Sequence, residues 1–375
     1  MKAKKLTAVL VAAAMTATVL AGCGGNDTKK DAAADNNETS AAGESGGSGS
    51  ADLDQVTLTL TTTFSETESA GQMVAHFKDY VEEQSDGAVT VDVSYGGTLA
   101  SDTEELSFVS SGAVDMTVLN QNNYTDVFPL LNFPSQVYSD EGFEASIAIF
   151  DYMMSENEET AGLIEAQTEA QNIHMLGGVP AGTNCFVSKK QCTTLDELTK
   201  LKLGAGINLS AFNEMGFNVV SVMPNEYYDS LSRGIIDTGY FPISVFVSMS
   251  LQEVTPYFIL DGSYTAGNFF SMNLDKWNSL SKSTQNFLEE AMDETQQYAI
   301  KLANEQTNDA KTTIEEAGGA VTELSDADKE TVKSALFNTA VSDARSYAKT
   351  YGCTEEMETV LKAVSEYQGI ELPEN

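Results

Sequence analysis

The chain has 375 residues, with 20 Lys+Arg against 56 Asp+Glu and a formal charge of -36. Its length leaves room for about two or three domains of ~150 residues each. Hydrophobic residues at 42% and charged residues at 20% suit a globular body and exclude wholesale disorder. So few cations exclude nucleic acid as a partner, because phosphates would go unneutralised. They also oppose contact with anionic lipid unless a separate anchor holds the protein there.

Residues 1–22 read as a secretory signal. Lys2, Lys4 and Lys5 precede an apolar run from Leu6 to Leu20, and Leu20-Ala21-Gly22-Cys23 closes it. The run is too short, with these flanks, for a membrane span. Leu-Ala-Gly-Cys resembles the bacterial lipobox, which makes Cys23 the expected lipidation site; an ordinary cleaved signal is the alternative. Residues 23–52 then form the expected anchor and flexible linker, with nothing apolar larger than Ala after Cys23 until Leu53. As a coil this linker would reach ~30 Å. The expected setting is extracytoplasmic, tethered to a bacterial cell membrane by lipid alone.

The body alternates strands and helices. Val56-Thr57-Leu58-Thr59-Leu60 alternates as a strand does, and Met73, Val74, Phe77, Tyr80 and Val81 recur at helical spacing up to Gly87. Val89, Val91 and Val93 alternate again, and Gly96-Gly97 turns the chain. Ser101-Asp102 with Glu104 and Glu105 offers capping-box chemistry for a short helix ending at Gly112. Val114 to Leu119 reads as a buried strand. Ile173–Leu176, Cys185–Val187 and Leu201–Leu203 read as further strands. Thr194 with Glu197 caps one helix, Asn225 caps a second over Glu226–Arg233, and Ile235-Ile236 opens another strand. The remainder is expected to be mostly helical, with a long helix marked by Leu288, Ala291, Met292, Tyr298, Ala299 and Leu302. This is an α/β pattern with a mainly parallel sheet, in two lobes around a cleft.

Chemistry of catalysis is poorly supplied. The two histidines, His76 and His174, are far apart in the chain, and the only arginines are Arg233 and Arg345. No phosphate loop, zinc-protease helix, calcium loop or nucleophile elbow is present. Both histidines read as structural. Cys185 and Cys192 are the one close cysteine pair, either a disulfide or two free buried thiols, and no zinc spacing accompanies them. No cofactor and no metal is expected. An exported, tethered, two-lobed protein without an evident base points to solute capture.

The body resembles the DctP-type solute-binding proteins of tripartite ATP-independent periplasmic (TRAP) transporters, over about Val56 to Gly352. The likeness lies in Val91-Asp92-Val93-Ser94-Tyr95-Gly96-Gly97-Thr98-Leu99 and Gly112-Ala113-Val114-Asp115-Met116. It continues in Thr194-Leu195-Asp196-Glu197-Leu198 leading to Leu201-Lys202-Leu203, and in Tyr227-Tyr228-Asp229-Ser230-Leu231 through Gly234-Ile235-Ile236-Asp237. The resemblance implies a periplasmic-binding-protein-like fold with a hinge, a central cleft and a long bracing helix. It also implies hand-over of a small organic solute to a membrane permease. A receptor for an ATP-driven importer or for a sensor kinase is the alternative. The lobes are expected at 53–180 with about 265–305, and at 181–264 with about 306–375.

Three departures from the family pattern bear on the solute. Where the family carries an arginine after L-K-[IL], this chain has Gly204. A second arginine is replaced by Asn184, and an asparagine before Pro242 by Phe241. A buried carboxylate needs compensating charge or several donors, so the expected solute is less acidic than is usual for the family. Aromatic, amphipathic or cationic molecules fit that expectation, with Tyr240, Phe241, Tyr264 and Phe64 offering rings. The opposing reading makes these rings core residues and lets Lys202 or a helix N-terminus meet a carboxylate. The full set of candidate ligand-binding residues is Thr63, Phe64, Glu66, Asp102, Asn120, Asn184, Gly204, Asn208, Tyr240, Phe241 and Tyr264.

Overall fold

The computed structural model describes residues 52–136, 142–206 and 208–374. The signal, Cys23 and nearly all of the linker lie outside the described residues.

The chain begins with β1 (Val56–Thr61), α1 (Ser69–Gln84), β2 (Val89–Ser94), α2 (Glu105–Ser110) and β3 (Met116–Leu119). β1 buries Leu58 and Leu60 on one face, and α1 answers with Met73, Val74, Phe77 and Val81 at helical spacing. Three helices follow, α3 (Pro129–Gln136), α4 (Phe143–Asp151) and α5 (Glu158–Glu169), before the 16-residue β4 (Ile173–Ser188). Then come α6 (Leu195–Thr199), β5 (Lys202–Ala205), α7 (Leu209–Glu214), β6 (Asn218–Ser221), α8 (Tyr227–Ser232), β7 (Thr238–Pro242) and α9 (Ile243–Ser248). Thr194 caps α6 by accepting from the Glu197 amide, as the sequence suggests.

The stretch expected to be mostly helical instead opens with β8 (Tyr257–Asn273), a 17-residue strand. After it lie α10 (Leu274–Ser279), α11 (Lys282–Glu316), β9 (Ala320–Glu323), α12 (Asp326–Tyr351) and α13 (Thr354–Gln368). α11 has 35 residues and is capped by Ser281; at ~1.5 Å per residue it is roughly 50 Å long.

The strands form one sheet in the order β2-β1-β3-β8-β4-β7-β5-β6, with β9 on the outer part of β8. It is mixed: five of its eight pairings are parallel, whereas β8 runs antiparallel to β3 and β4, and β4 antiparallel to β7. β4 and β8 pair from Ile173↔Asn273 to Ser188↔Tyr257 and so belong to both halves. β3 meets β8 only at Phe269–Met272, whereas β9 meets it at Tyr257–Leu260 and β7 meets β4 at Asn184–Ser188. Between those zones, among the described residues, the two strands have only each other as strand partners, and the register breaks around Val179, Pro180, Gly182 and Thr183 fall there. Bulges bend and twist a ladder, so the sheet is least regular along this ribbon.

The cores follow the same division. β1, β2, α1 and the first part of α11 share one cluster, including Phe77, Val91, Leu288 and Met292. The other half has two: Phe186, Leu203, Phe212 and Tyr240 on one face of the sheet, and Cys185, Val222, Ile236 and Phe246 on the opposite face, joined there by Ala310 and Ile314 of α11. α11 therefore braces both halves. α12 does so too: Val332 and Leu336 pack on the second half, while Phe337, Val341 and Ala344 pack with Phe128, Phe133 and Phe150 on the first. Met357, Val360 and Leu361 of α13 join the first-half core as well. Side chains between Phe337 and Val364, expected with the second lobe, share this cluster. An amphipathic stripe gives a helix a buried face without saying which neighbour covers it.

Candidate functional site

The loops after β1 and β2 are tied together at the first-half edge. Gly96 and Gly97 both adopt left-handed backbone, with φ of 69° and 67°, and donate to the Phe64 and Thr62 carbonyls. Thr63 follows, half-buried, and its amide donates to Glu105 Oε1 at 3.0 Å. Glu105 is 2% exposed. Burial pushes its carboxyl up to about 8 and the Asp102 charge adds to this, while the Thr63 amide pulls the other way. Sequence reasoning treated Glu105 only as a helix start; its helical phase with Val109 was the available signal of a buried position. Asp102 is exposed, and its carbonyl accepts from the Tyr124 hydroxyl. Asn120 is half-buried just past β3, and Glu66 is exposed.

On the second half, Asn184, Tyr240 and the middle of β8 form a buried polar network. The Tyr240 hydroxyl donates to Asp261 Oδ2 at 2.5 Å, and Ser263 donates its hydroxyl to Asp261 Oδ1 at 2.6 Å. Asn184 Nδ2 reaches Ser263 Oγ at 3.4 Å. Burial raises the Asp261 carboxyl, against the lowering effect of these hydrogen bonds. The Tyr240 ring lies between Phe186 and Phe212, with centroids 4.8 and 4.7 Å away. It is fully buried, a core ring and not an open ligand contact.

Phe241 points to the other face and packs half-buried against Tyr227 and Phe246. Tyr264 stands edge-on to Phe143 at 4.8 Å. Gly204 does not border open space: a Cβ there would lie 2.5 Å from Ile236 Cδ1 and 3.1 Å from Val222 Cγ2. That side of the sheet is opposite the one Asn184 uses. Asn208 sits half-buried before α7 in left-handed backbone. The structure therefore joins Thr63 to Glu105 and Asn184 to Tyr240, and separates Gly204 and Phe241 from that network.

Cys185 and Cys192 are both free and buried, so the possible disulfide is not formed. They lie in cores on opposite faces of the sheet, and the Cys185 thiol points to the Phe241 carbonyl at 3.7 Å. Both histidines are stacked, His76 on Tyr298 at 4.0 Å and His174 on Trp277 at 4.1 Å. Arg233 is exposed and pairs with Asp229 at 3.5 Å. Arg345 forks onto Glu358 at 2.7 and 3.1 Å. Among the described residues, no group of three or more His, Cys, Asp or Glu is arranged to hold a metal ion. No helix among them is long and apolar enough to cross a membrane.

A cavity of about 660 Å³ opens where the halves meet. Phe64 and the first turn of α1 form one wall, α9 forms the facing wall, Pro180 and Asn268 of the ribbon form the floor, and Gln306 to Thr313 of α11 close the side. Of the sequence candidates only Phe64 lines it. Ser69 donates to Gln306 Oε1 at 2.7 Å and so joins α1 to α11 along its lining.

Residues 60–343 match the family of bacterial extracellular solute-binding proteins, family 7, also called DctP. The chain belongs to this family. It is a family of binding proteins for transport, not of enzymes, and its members act outside the cytoplasm. The C4-dicarboxylate-binding periplasmic protein DctP of Rhodobacter capsulatus is 25% identical over 66% of this chain and 74% of its own. The 2,3-diketo-L-gulonate-binding periplasmic protein YiaO of Escherichia coli K12 is 24% identical over 73% of this chain and 82% of its own. Among solved structures, a TRAP periplasmic solute-binding protein from Rhodobacter sphaeroides, in an apo open form, superposes with a TM-score of 0.70. It is 20% identical and covers 84% of this chain and 98% of its own. One from Sulfitobacter with bound β-D-galacturonate gives 0.62 at 18% identity, over 83% and 100%. These likenesses establish the two-lobed periplasmic-binding fold.

Proposed function

We propose that this DctP-family protein is the receptor of a TRAP-type secondary transporter, held at the outer face of a bacterial membrane by lipid on Cys23. It captures a small organic solute between its lobes and delivers it to a membrane permease. The first lobe comprises 53–180 with about 265–305 and 337–364, and the second 181–264 with about 306–336. The β4–β8 ribbon is the hinge.

The solute is less acidic than those named for the relatives. One observation carries this: neither arginine lines the cavity, Arg233 being exposed beside Asp229 on α8 and Arg345 forking onto Glu358. The position after Leu203 is a glycine whose side-chain space is filled by Ile236 and Val222. Thermal-shift measurements on the full chain test the reading. A solute at 100 times its Kd should add ~2.7 kcal/mol of stability. Stabilisation by neutral, aromatic or amine solutes, with succinate and galacturonate silent, is the expected result. Tight binding of a dicarboxylate or uronate would overturn the solute class, and silence from every class would overturn the receptor reading. A matching permease gene beside this one separates the TRAP assignment from an ATP-driven importer or a sensor kinase.

A further inference from the structure

We infer that the cavity at the hinge takes the solute itself, and that the solute carries a protonated amine on a partly apolar body. This rests on the receptor reading and adds the place and the chemical class. The volume of about 660 Å³ lies within the roughly 300–1,000 Å³ of small-molecule sites.

The wall chemistry selects the class. Phe64, Pro180, Val245, Val247 and Met249 supply apolar surface, and serine, threonine and amide groups lie between them. Glu68 and Asp309 bring carboxylates to the rim. Among the described residues, no lysine, arginine or histidine lines the cavity, and neither carboxylate is in a salt bridge. Asn268 Oδ1, on the floor, is buried without a hydrogen-bond partner. An anion would meet two carboxylates and no counter-charge. An ammonium would meet the Glu68 and Asp309 carboxylates and the Phe64 ring. The net charge of -36 draws cations towards every opening.

The position also explains how such a ligand would be sensed. Phe64 and Ser69 belong to the first half, Val245 and Val247 to the second, and Pro180 and Asn268 to the ribbon where register breaks occur. Contacts to both halves favour whichever arrangement brings them together, and a ligand shifts that equilibrium by its differential affinity.

The test is calorimetric titration of the full chain with phenethylamine, its neutral analogue phenethyl alcohol, and phenylacetate. Asp309→Asn removes a rim charge on exposed helix surface, and Val247→Trp fills the cavity. Binding of phenethylamine at least tenfold tighter than the alcohol, weakened about tenfold or more in each variant, supports the inference. Equal binding in wild type and both variants overturns the cavity while leaving the receptor standing. Preference for phenylacetate, equal affinity for the alcohol, or no amine binding overturns the amine class. Should the amine fail while another solute stabilises the protein in the wider thermal screen, only this inference falls.

Discussion

Replacing Glu105 with glutamine should change how the stability of this protein depends on pH. The carboxyl is buried, with the Thr63 amide at 3.0 Å and the Asp102 charge nearby, and it ionises at about 8 instead of its ordinary 4.5. A folded value above the unfolded one means that the folded state holds the proton longer. The contribution is then complete below about pH 4.5 and is lost as pH rises towards 8. One proton corresponds to ~1.4 kcal/mol per pH unit, so about 2–3 kcal/mol should disappear between pH 5 and pH 7. Glutamine keeps an oxygen for the Thr63 amide and cannot ionise. Urea unfolding of both proteins at pH 5, 6, 7 and 8 gives the difference directly, and other titrating groups cancel in it. The variant should gain on wild type at each step, and be more stable by a few kcal/mol at pH 8. Parallel curves would mean that Glu105 ionises normally, through solvent that reaches it, and would refute the link between its burial and its raised carboxyl.

Three further outcomes follow from named contacts. His174 is held neutral down to about pH 4, chiefly by burial and then by Lys282. Its contribution is present above pH 6.5 and lost on acidification, by up to ~3 kcal/mol; His174→Gln should flatten stability between pH 6.5 and 4 in urea titrations, at the cost of the Trp277 stack. Gly204→Ala should destabilise by about 1–3 kcal/mol through overpacking, and the loss should shrink in an Ile236→Val background; strict additivity of the two changes would show that Ile236 does not fill that space. A reducing agent should leave the melting temperature unchanged, because Cys185 and Cys192 are free; a fall of several degrees would reveal a bond.

Much of the fold was legible because local patterns and tertiary packing agree. Leu58 and Leu60 alternate into a core, Met292 and Ala299 mark a helix stripe, and Thr194 caps where its spacing to Glu197 says it should. β8 was not legible. Asp261-Gly262-Ser263 and Gly267-Asn268 interrupt its apolar alternation, because the strand changes partners there and the polar residues serve the ribbon. The site was legible only in part. That Asn184 and Gly204 use opposite faces follows from strand register, which depends on pairing across distant segments. Tyr240 alternates inward and Phe241 outward from the same strand, so adjacent rings in sequence serve different surroundings. The hinge cavity needs α1, α9, α11 and the ribbon at once, and no short stretch of chain announces it.

The contribution of α12 and α13 to the first-half core has a consequence for the birth of the molecule. Phe128, Phe133 and Phe150 wait for Phe337, Val341 and Val360 to cover them, so nearly the whole chain must be made before that half can close its interior. A nascent or emerging chain lacking its last forty residues would leave that surface uncovered. The lobe that begins first in sequence is thus finished last in time.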